Sequence, residues 1–346
     1  MKVGNNCLGV AELRGEVVLR RASLGVGLGL GLLLLVLALR SVEPAALVRA
    51  LALTNPWFVL LALLSVGATI AAKALRWRLL FYPKNENLPL GSLVSALLIG
   101  QTINLLLPAR LGEFARAYLV GETEERQKLL ALGTIVVEKL LDGLALLLLL
   151  GLLFLVLPVR DWLRVSGALA ALATAALLAV VLLLTGQRQR ILGISDRLGR
   201  RVPRLGRLRP KAHVASLADG LSSLQSTGVR ARLICWTAGV WLLAAATNWL
   251  VLVGMQVRVP VVLASLLVLV VVHLGLVVPS SPARIGVFHY LCLLSLSMLG
   301  VEEAQALACG IVLHFVVVLP VLVAGLACLW RENLTLYRLV AEVDTD

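Results

Sequence analysis

Glu138, Lys139 and Asp142 stand inside an otherwise apolar run, Leu129 to Leu157, where an ionisable side chain is costly enough to be a functional candidate by default. Glu138 and Asp142 are four residues apart, so on a helix both carboxylates leave from one face while Lys139 points away. Such a pair suits an amine, a sugar hydroxyl or a coupling proton. They lie about 15 Å of helical rise from the start of the run. That is near mid-bilayer if the helix starts at the interface, and juxtamembrane if it extends into the cytoplasm. Arg110, Glu113 and Arg116 follow one another at i+3 spacing, an Arg-Glu-Arg ladder on a helix, and the planar fork of arginine matches phosphate oxygens. Arg284, with His289 five residues later, is a second candidate of the same kind. The alternative for each arginine is that it snorkels to lipid headgroups. Asn104, Gln101, Asn248, His273, His289 and His314 are the remaining polar groups in apolar surroundings; hydrogen bonds between helices are their expected use.

None of this forms a familiar catalytic signature. There is no H-E-x-x-H, no G-x-S-x-G elbow, no Walker A loop and no G-x-G-x-x-G after a strand, which counts against hydrolytic and ATP-driven chemistry. The cysteines Cys7, Cys235, Cys292, Cys309 and Cys328 form no C-x-x-C pair, so neither a disulfide framework nor a zinc site is expected, and no cofactor or metal is implied. Four of them lie in apolar stretches and read as packing residues.

The elements that must position these residues are membrane helices. Of 346 residues, 60% are apolar and 15% charged, against roughly 45–50% and 25% in a soluble globular chain. Runs of ~20 apolar residues fit Ala22 to Leu39, Pro56 to Ala72, Leu129 to Leu157, Leu163 to Thr185, Leu233 to Val253 and Ala304 to Trp330. Leu88 to Leu107, Val259 to Val278 and Ile285 to Leu299 are shorter or more polar. The first run has basic residues before it and no A-x-A site after it, so it reads as a retained signal anchor. Its Gly25, Gly27, Gly29 and Gly31 contain two G-x-x-x-G spacings that allow close helix approach.

The net charge is +13, and the stretch 186–232 carries eleven basic against two acidic residues. By the positive-inside rule this loop is cytoplasmic. If Leu88 to Leu107 and Val259 to Val278 re-enter rather than span, with Ile285 to Leu299 packed beside the second, both termini fall inside. Most remaining Lys and Arg then also face the cytoplasm, including Lys73, Arg76, Arg78 and Lys84 before the first of these segments and Arg110, Arg116, Arg126 and Lys128 after it. Excess positive charge beside apolar runs points to anionic lipid before nucleic acid.

An internal repeat organises the chain. Pro108-Ala-Arg-Leu-Gly-Glu-Phe114 recurs as Pro282-Ala-Arg-Ile-Gly-Val-Phe288, five identities in seven at an offset of 174. The same offset carries Pro56 to Ala72 onto Arg230 to Ala246, and Leu129 to Leu157 onto Glu303 to Arg331. The charge count places the two copies on opposite sides, as an inverted-topology repeat requires; such repeats build substrate sites from interrupted segments. In Pro-Ala-Arg-aliphatic-Gly the proline ends a helix and the glycine permits a turn or close approach, tolerated at membrane depth only inside protein or along a wet cavity. Arg110 and Arg284 would then stand at the mouths of two opposed half-sites. Val287 and Tyr290 replace Glu113 and Arg116 in the second copy, which assigns headgroup recognition to the cytoplasmic half. The expected fold is all-α, a polytopic bundle with an inverted repeat and two re-entrant elements. One membrane domain covers 1–346, with repeats at 22–185 and 233–330 around the basic loop 186–232.

The segments Asn104-Leu-Leu-Leu-Pro108-Ala-Arg110-Leu-Gly112-Glu113-Phe-Ala-Arg116, Gly133-Thr-Ile-Val-Val-Glu138-Lys-Leu-Leu-Asp142 and Pro279-Ser-Ser-Pro282-Ala-Arg-Ile-Gly286-Val-Phe288 together resemble the lysylphosphatidylglycerol synthase transmembrane-region family, also called flippase-like. The resemblance covers nearly the whole chain. It implies a flippase-like region of the kind that moves aminoacylated phosphatidylglycerol to the outer leaflet. Sixteen residues follow Trp330, so the family's soluble synthase domain, and with it aminoacyl transfer, is not expected here. Some stand-alone relatives are linked to polyprenyl-phosphate sugar pathways. The matched motif positions are Asn104, Arg110, Glu113, Arg116, Glu138, Asp142, Pro279, Pro282 and Gly286, with Pro108 and Gly112 in the structural part of the motif.

The expectation is therefore a multi-pass protein of the cell (inner or plasma) membrane that translocates an anionic, aminoacylated or polyprenyl-phosphate-linked lipid, more a transporter than an enzyme. Asn104, Arg110, Glu113, Arg116, Glu138, Asp142, Arg284 and His289 are its candidate substrate contacts. The alternatives are a membrane-embedded transferase or accessory subunit of lipid-linked glycan synthesis, and a structural partner acting through the basic loop. Membrane lipids are the expected partners and nucleic acid is not; a homo-oligomer and a cytoplasmic partner for 186–232 stay open.

Overall fold

The computed structural model describes residues 25, 27–40, 42–83, 88–107, 111–121, 125–157, 161–187, 189–191, 210–276 and 281–332. Cys7, Pro108, Arg110, Pro279, the start of the first expected span and much of the basic loop lie outside them. The helices in chain order are α1 (Gly27–Arg40), α2 (Pro44–Ala52), α3 (Pro56–Leu80), α4 (Leu90–Leu106), α5 (Gly112–Val120), α6 (Glu125–Val156), α7 (Asp161–Gly186), α8 (Pro210–Gly220), α9 (Thr227–Gly254), α10 (Val261–Gly275), α11 (Val287–Ser297) and α12 (Glu303–Arg331). Short 3₁₀ turns occupy Ser222–Gln225 and Pro282–Arg284, and no strand occurs among the described residues.

Proline sets several helix starts. Pro44 and Pro56 fill the first helical position of α2 and α3, where a missing N–H costs nothing, and Pro89 and Pro260 immediately precede α4 and α10. At the start of α3 the Asn55 carboxamide oxygen also accepts from the Trp57 N–H at 3.0 Å. Leucine and alanine then propagate the helices.

Five helices are long and apolar enough to cross a membrane: α3, the Lys128–Val156 part of α6, α7, α9 and α12. A sixth arises if α1 and α2, bent by 89°, count as one span. The five match the expected spans after the first; the first, Ala22 to Leu39, corresponds to α1, which reaches span length only together with α2. One boundary differs with consequence: α3 was expected to end at Ala72 and runs on to Leu80, so Lys73, Arg76 and Arg78 are helical residues rather than a cytoplasmic loop. Alpha-helix α7 turns most of its surface outward, with Val165, Leu169, Leu172 and Leu182 exposed to lipid.

The repeat extends through four helices in the same order. An offset of 174 superposes α3 on α9, α4 on α10, α5 on α11 and α6 on α12 to within a few residues at each end. The equivalent helices α3 and α9 pack against each other along their lengths, and they run in opposite directions. The Asn55 N–H donates to the Gly254 carbonyl at 2.9 Å, Ser65 Oγ to the Leu243 carbonyl at 3.0 Å, and Arg76 Nη1 to Thr237 Oγ1 at 3.4 Å. Antiparallel packing of two copies of one helix is the geometry of an inverted repeat. The small helices cross over: α2 packs on α12, and α8 packs on α6. Each apolar core therefore mixes both repeats. One joins Val251, Leu307 and Cys309 to Ala62; the other joins Leu93 and Ile135 to Leu221 and Leu233.

Two glycines fix the motif loops. A Cβ on Gly112 would collide with the Gly100 carbonyl of α4, and one on Gly286, which has φ +85°, with the Gly31 carbonyl of α1. Of the glycine ladder in α1, Gly27 and Gly31 are buried, whereas Gly25 and Gly29 face outward. One of the two G-x-x-x-G faces is thus the packed one.

Candidate functional site: a buried ion-pair network in the first repeat

Glu138 and Asp142 leave α6 from one face and meet two arginines. The Asp142 carboxylate accepts from Arg76 Nη1 at 2.6 Å and from Nη2 at 3.2 Å. Glu138 accepts from Arg116 Nη1 at 3.1 Å and Nη2 at 2.7 Å. Both contacts are bidentate, the geometry that offsets most of the cost of taking two charges out of water. Arg76 is 1% exposed and Arg116 and Glu138 are buried, while the Asp142 side chain keeps 29% of its surface. Aromatic groups line the pairs: the Arg116 guanidinium lies 4.1 Å above the Trp77 ring, and Trp241 Nε1 donates to Asp142 at 3.4 Å. Trp77 Nε1 in turn donates to Thr134 Oγ1 at 3.0 Å, tying α3 to α6 one turn before Glu138.

A third pair closes the network. Lys139, directed away from the Glu138 face as its spacing requires, reaches Glu113 of α5 at 3.0 Å. Asn104 of α4 donates to Glu113 at 3.0 Å and accepts from the Gly112 N–H at 2.8 Å, so it fastens the break between α4 and α5. Burial alone would raise the Glu113 carboxyl; the Lys139 ammonium and the Asn104 amide outweigh it and hold the group below the ordinary carboxylate range. The expected ladder does not form between Glu113 and Arg116, because α5 turns Arg116 onto α6 and leaves Glu113 to Lys139; Arg110 lies outside the described residues.

Helix lengths place the network near one membrane face. Alpha-helix α3 is about 37 Å long, little more than a ~30 Å hydrocarbon core, and Arg76 is about 6 Å of rise from its C-terminal end. Asp142 is nevertheless the central residue of Lys128–Val156. The two fit together because α6, about 48 Å long, overshoots that face, and α8, from the basic 186–232 segment, packs against the overshoot.

The second repeat is built differently. At the offset of 174, Leu250, Tyr290, Val312 and Val316 stand where Arg76, Arg116, Glu138 and Asp142 stand in the first. Its polar groups maintain backbone shape: His289 Nδ1 accepts from the Gly286 N–H at 3.2 Å and caps α11, and His314 Nε2 contacts the Ala283 carbonyl at 2.8 Å. These support the turn after Pro282, where Ala283 and Arg284 have positive φ. Of the other polar residues, Asn248 bonds α9 to α10 through the Ser265 carbonyl, as expected, whereas His273 bonds its own helix at Leu269 and lies against Trp241, ring centroids 4.9 Å apart and planes tilted by 45°.

Arg76, Lys73 and the two tryptophans were not among the sequence candidates. Arg76 was counted as a loop cation, and the available signal was stoichiometric: two carboxylates in an apolar helix require basic partners, and Arg76 is one of two arginines that precede the α4 break closely. Among the described residues no group of three or more His, Cys, Asp or Glu could hold a metal ion.

The sequence is similar to known proteins. The chain is 27% identical over 334 residues to the protein named Glycosyltransferase AglD of Haloferax volcanii, an alignment covering 87% of this chain and 53% of that one, so it spans about half the relative's length. Residues 24–325 match the lysylphosphatidylglycerol synthase TM region, and this multi-pass membrane protein belongs to that family.

Proposed function

We propose that the protein translocates an anionic lipid, a phospholipid or a polyprenyl-phosphate-linked species, between the leaflets of a cell membrane. The observation that carries this reading is the network of three ion pairs between α3, α5 and α6 beneath one membrane face, two of them made by buried arginines. Charge held there has no structural necessity, since the second repeat builds the same helices with Leu250, Tyr290, Val312 and Val316. A headgroup arriving at the face that bears the basic 186–232 segment meets the partly open Asp142, with the buried Arg116 behind it and Glu113 and Asn104 bracing the break beside them. Glu138 is the carboxylate that orients Arg116. Arg284 and His289 mark the opposed half-site, and both termini lie on the cytoplasmic side with the basic loop. The pairs α4/α5 and α10/α11 act as the two re-entrant elements, each interrupted at a Pro-Ala-Arg-aliphatic-Gly turn. Purified protein in vesicles should accelerate the leaflet exchange of labelled phosphatidylglycerol or polyprenyl phosphate; no acceleration of any anionic lipid would overturn the reading.

The naming of the AglD relative as a glycosyltransferase favours a second reading, an accessory or catalytic role in lipid-linked glycan synthesis. Formation of a glycosylated lipid in detergent, where no leaflets exist, would select it.

A further inference from the structure

Alpha-helix α12 holds both interrupted elements, each with a different part of its length. Up to Val316 it belongs to the core that contains Phe288, Cys292 and Leu293 of α11, and His314 Nε2 donates to the Ala283 carbonyl of the second motif turn at 2.8 Å. From Val321 onward it holds α4. Thr102 Oγ1 donates to the Val321 carbonyl at 3.2 Å, Ser95 Oγ donates to the Glu332 carboxylate, and a Cβ on Gly325 would collide with Thr102 Oγ1 and the Leu98 carbonyl. Pro320 stands between the two parts, inside the helix. It has no N–H for the Val316 carbonyl, so the hydrogen-bond ladder of α12 lacks a rung there, which is a recurrent cause of helix bending. The fold does not ask for a proline at this place, since Leu146 occupies the equivalent position of α6.

The two elements touch each other beside this proline. Leu105, in the last turn of α4, forms a buried cluster with Val318 and Val321, and Ala283 of the second motif turn and Ile70 of α3 pack against it. Alpha-helix α4 and the Pro282–Arg284 turn are in contact. Ile70 lies two residues past the centre of α3, so the cluster is close to mid-membrane and about 9 Å of helical rise deeper than Arg76. The ion pairs of the first repeat therefore lie on one side of an apolar layer that the second motif turn closes from the other. All five side chains of the layer are apolar, and a polar headgroup finds no hydrogen-bond partner among them.

We infer that this cluster is the barrier between the two half-sites and that Pro320 is the hinge that opens it. The inference rests on the translocation reading and deepens it. Bending α12 at Pro320 carries α4 with the C-terminal part and the second motif turn with the N-terminal part. Leu105 and Ala283 then separate while each element keeps its own hydrogen bonds to α12. A continuous helix would tie the two elements into one rigid body, whereas alternating access in inverted repeats works by moving one part against the other around a fixed site.

The hinge is tested apart from transport by following the barrier itself. The full-length protein carrying Leu105→Cys is placed in vesicles and exposed to a small polar thiol reagent, with modification of residue 105 read from peptide masses. Adding Pro320→Leu, or Pro320→Ala, should slow that modification about tenfold or more. Neither substitution should lower the thermal midpoint in detergent, since each removes a proline from a helix interior. Separately, a disulfide between Leu105→Cys and Ala283→Cys, confirmed by mass, should stop exchange of labelled phosphatidylglycerol, and reduction should restore it. Modification at the parent rate in both Pro320 variants would overturn the hinge even if the wild type exchanges lipid. Loss of folding in both would also overturn it, because the proline would then serve packing. Full exchange with the disulfide closed would overturn the barrier. Slowed modification in the Pro320 variants of a protein that exchanges no anionic lipid would uphold the hinge and refute translocation.

Discussion

The two repeats use one backbone plan for unlike purposes. In the first, α3, α5 and α6 hold two buried arginine–carboxylate pairs and a more exposed third; in the second, α9, α11 and α12 fill the positions of the two arginine pairs with Leu250, Tyr290 and valines. Both keep the glycine of the motif, because in both the turn must pass within a carbonyl's reach of another helix. The geometry of the break is thus common property of the fold, whereas the charge is an addition made in one half. Apolar packing and neutral hydrogen bonds hold these positions of the second copy, so this arrangement of helices does not require the charges of the first.

The comparison breaks outright if the halves are not inverted. Single cysteines introduced at Ser92 and Ser280 should label from opposite sides of sealed vesicles; labelling of both from one side would end the inverted-repeat account. Next in size is the loss of one partner of a buried pair. Glu138→Ala leaves the Arg116 guanidinium enclosed without a counter-charge and should cost about 3–5 kcal/mol of stability. Val312→Ala, its equivalent in the second repeat, should cost about 1 kcal/mol, both measured by unfolding in detergent. The motif glycines should behave alike despite the charge difference: Gly112→Ala and Gly286→Ala each force a carbonyl to move and should cost on the order of 1–3 kcal/mol. The smallest effect is at the edge of the network. Glu113 is ionised at a lower pH in the folded protein than in the unfolded chain, so its pairing contributes above the ordinary carboxylate range and is lost as pH falls through the folded value. Glu113→Gln should reduce stability at neutral pH by up to about 1 kcal/mol and bring the variant and wild type together in acid.

Much of this was legible in the chain. Five spans, the repeat and the shared face of Glu138 and Asp142 follow from apolar run length, self-similarity and helical spacing. The C-terminal turns of α3 were not legible, because Lys73, Arg76 and Arg78 have the composition of a basic loop. Only the carboxylates of α6, 66 residues away in sequence for the Arg76 and Asp142 pair, make a buried arginine tolerable there. The same limit explains Arg116. Its i+3 spacing from Glu113 is a local regularity, and a bidentate contact with Glu138 on a different helix outcompetes it. Local pattern reports which face a residue occupies; the partner on that face is set by tertiary packing.

The central claim is that the first repeat's charges serve the lipid and not the fold, and converting that repeat to its twin tests it most directly. A variant carrying Arg76→Leu, Arg116→Tyr, Glu138→Val and Asp142→Val places the second repeat's residues in the first, and apolar replacement of whole buried pairs is commonly neutral for stability. The account predicts a protein that unfolds within a few degrees of the wild type and exchanges labelled phosphatidylglycerol in vesicles at the background rate. Exchange at the wild-type rate, or failure of the variant to fold, would contradict it.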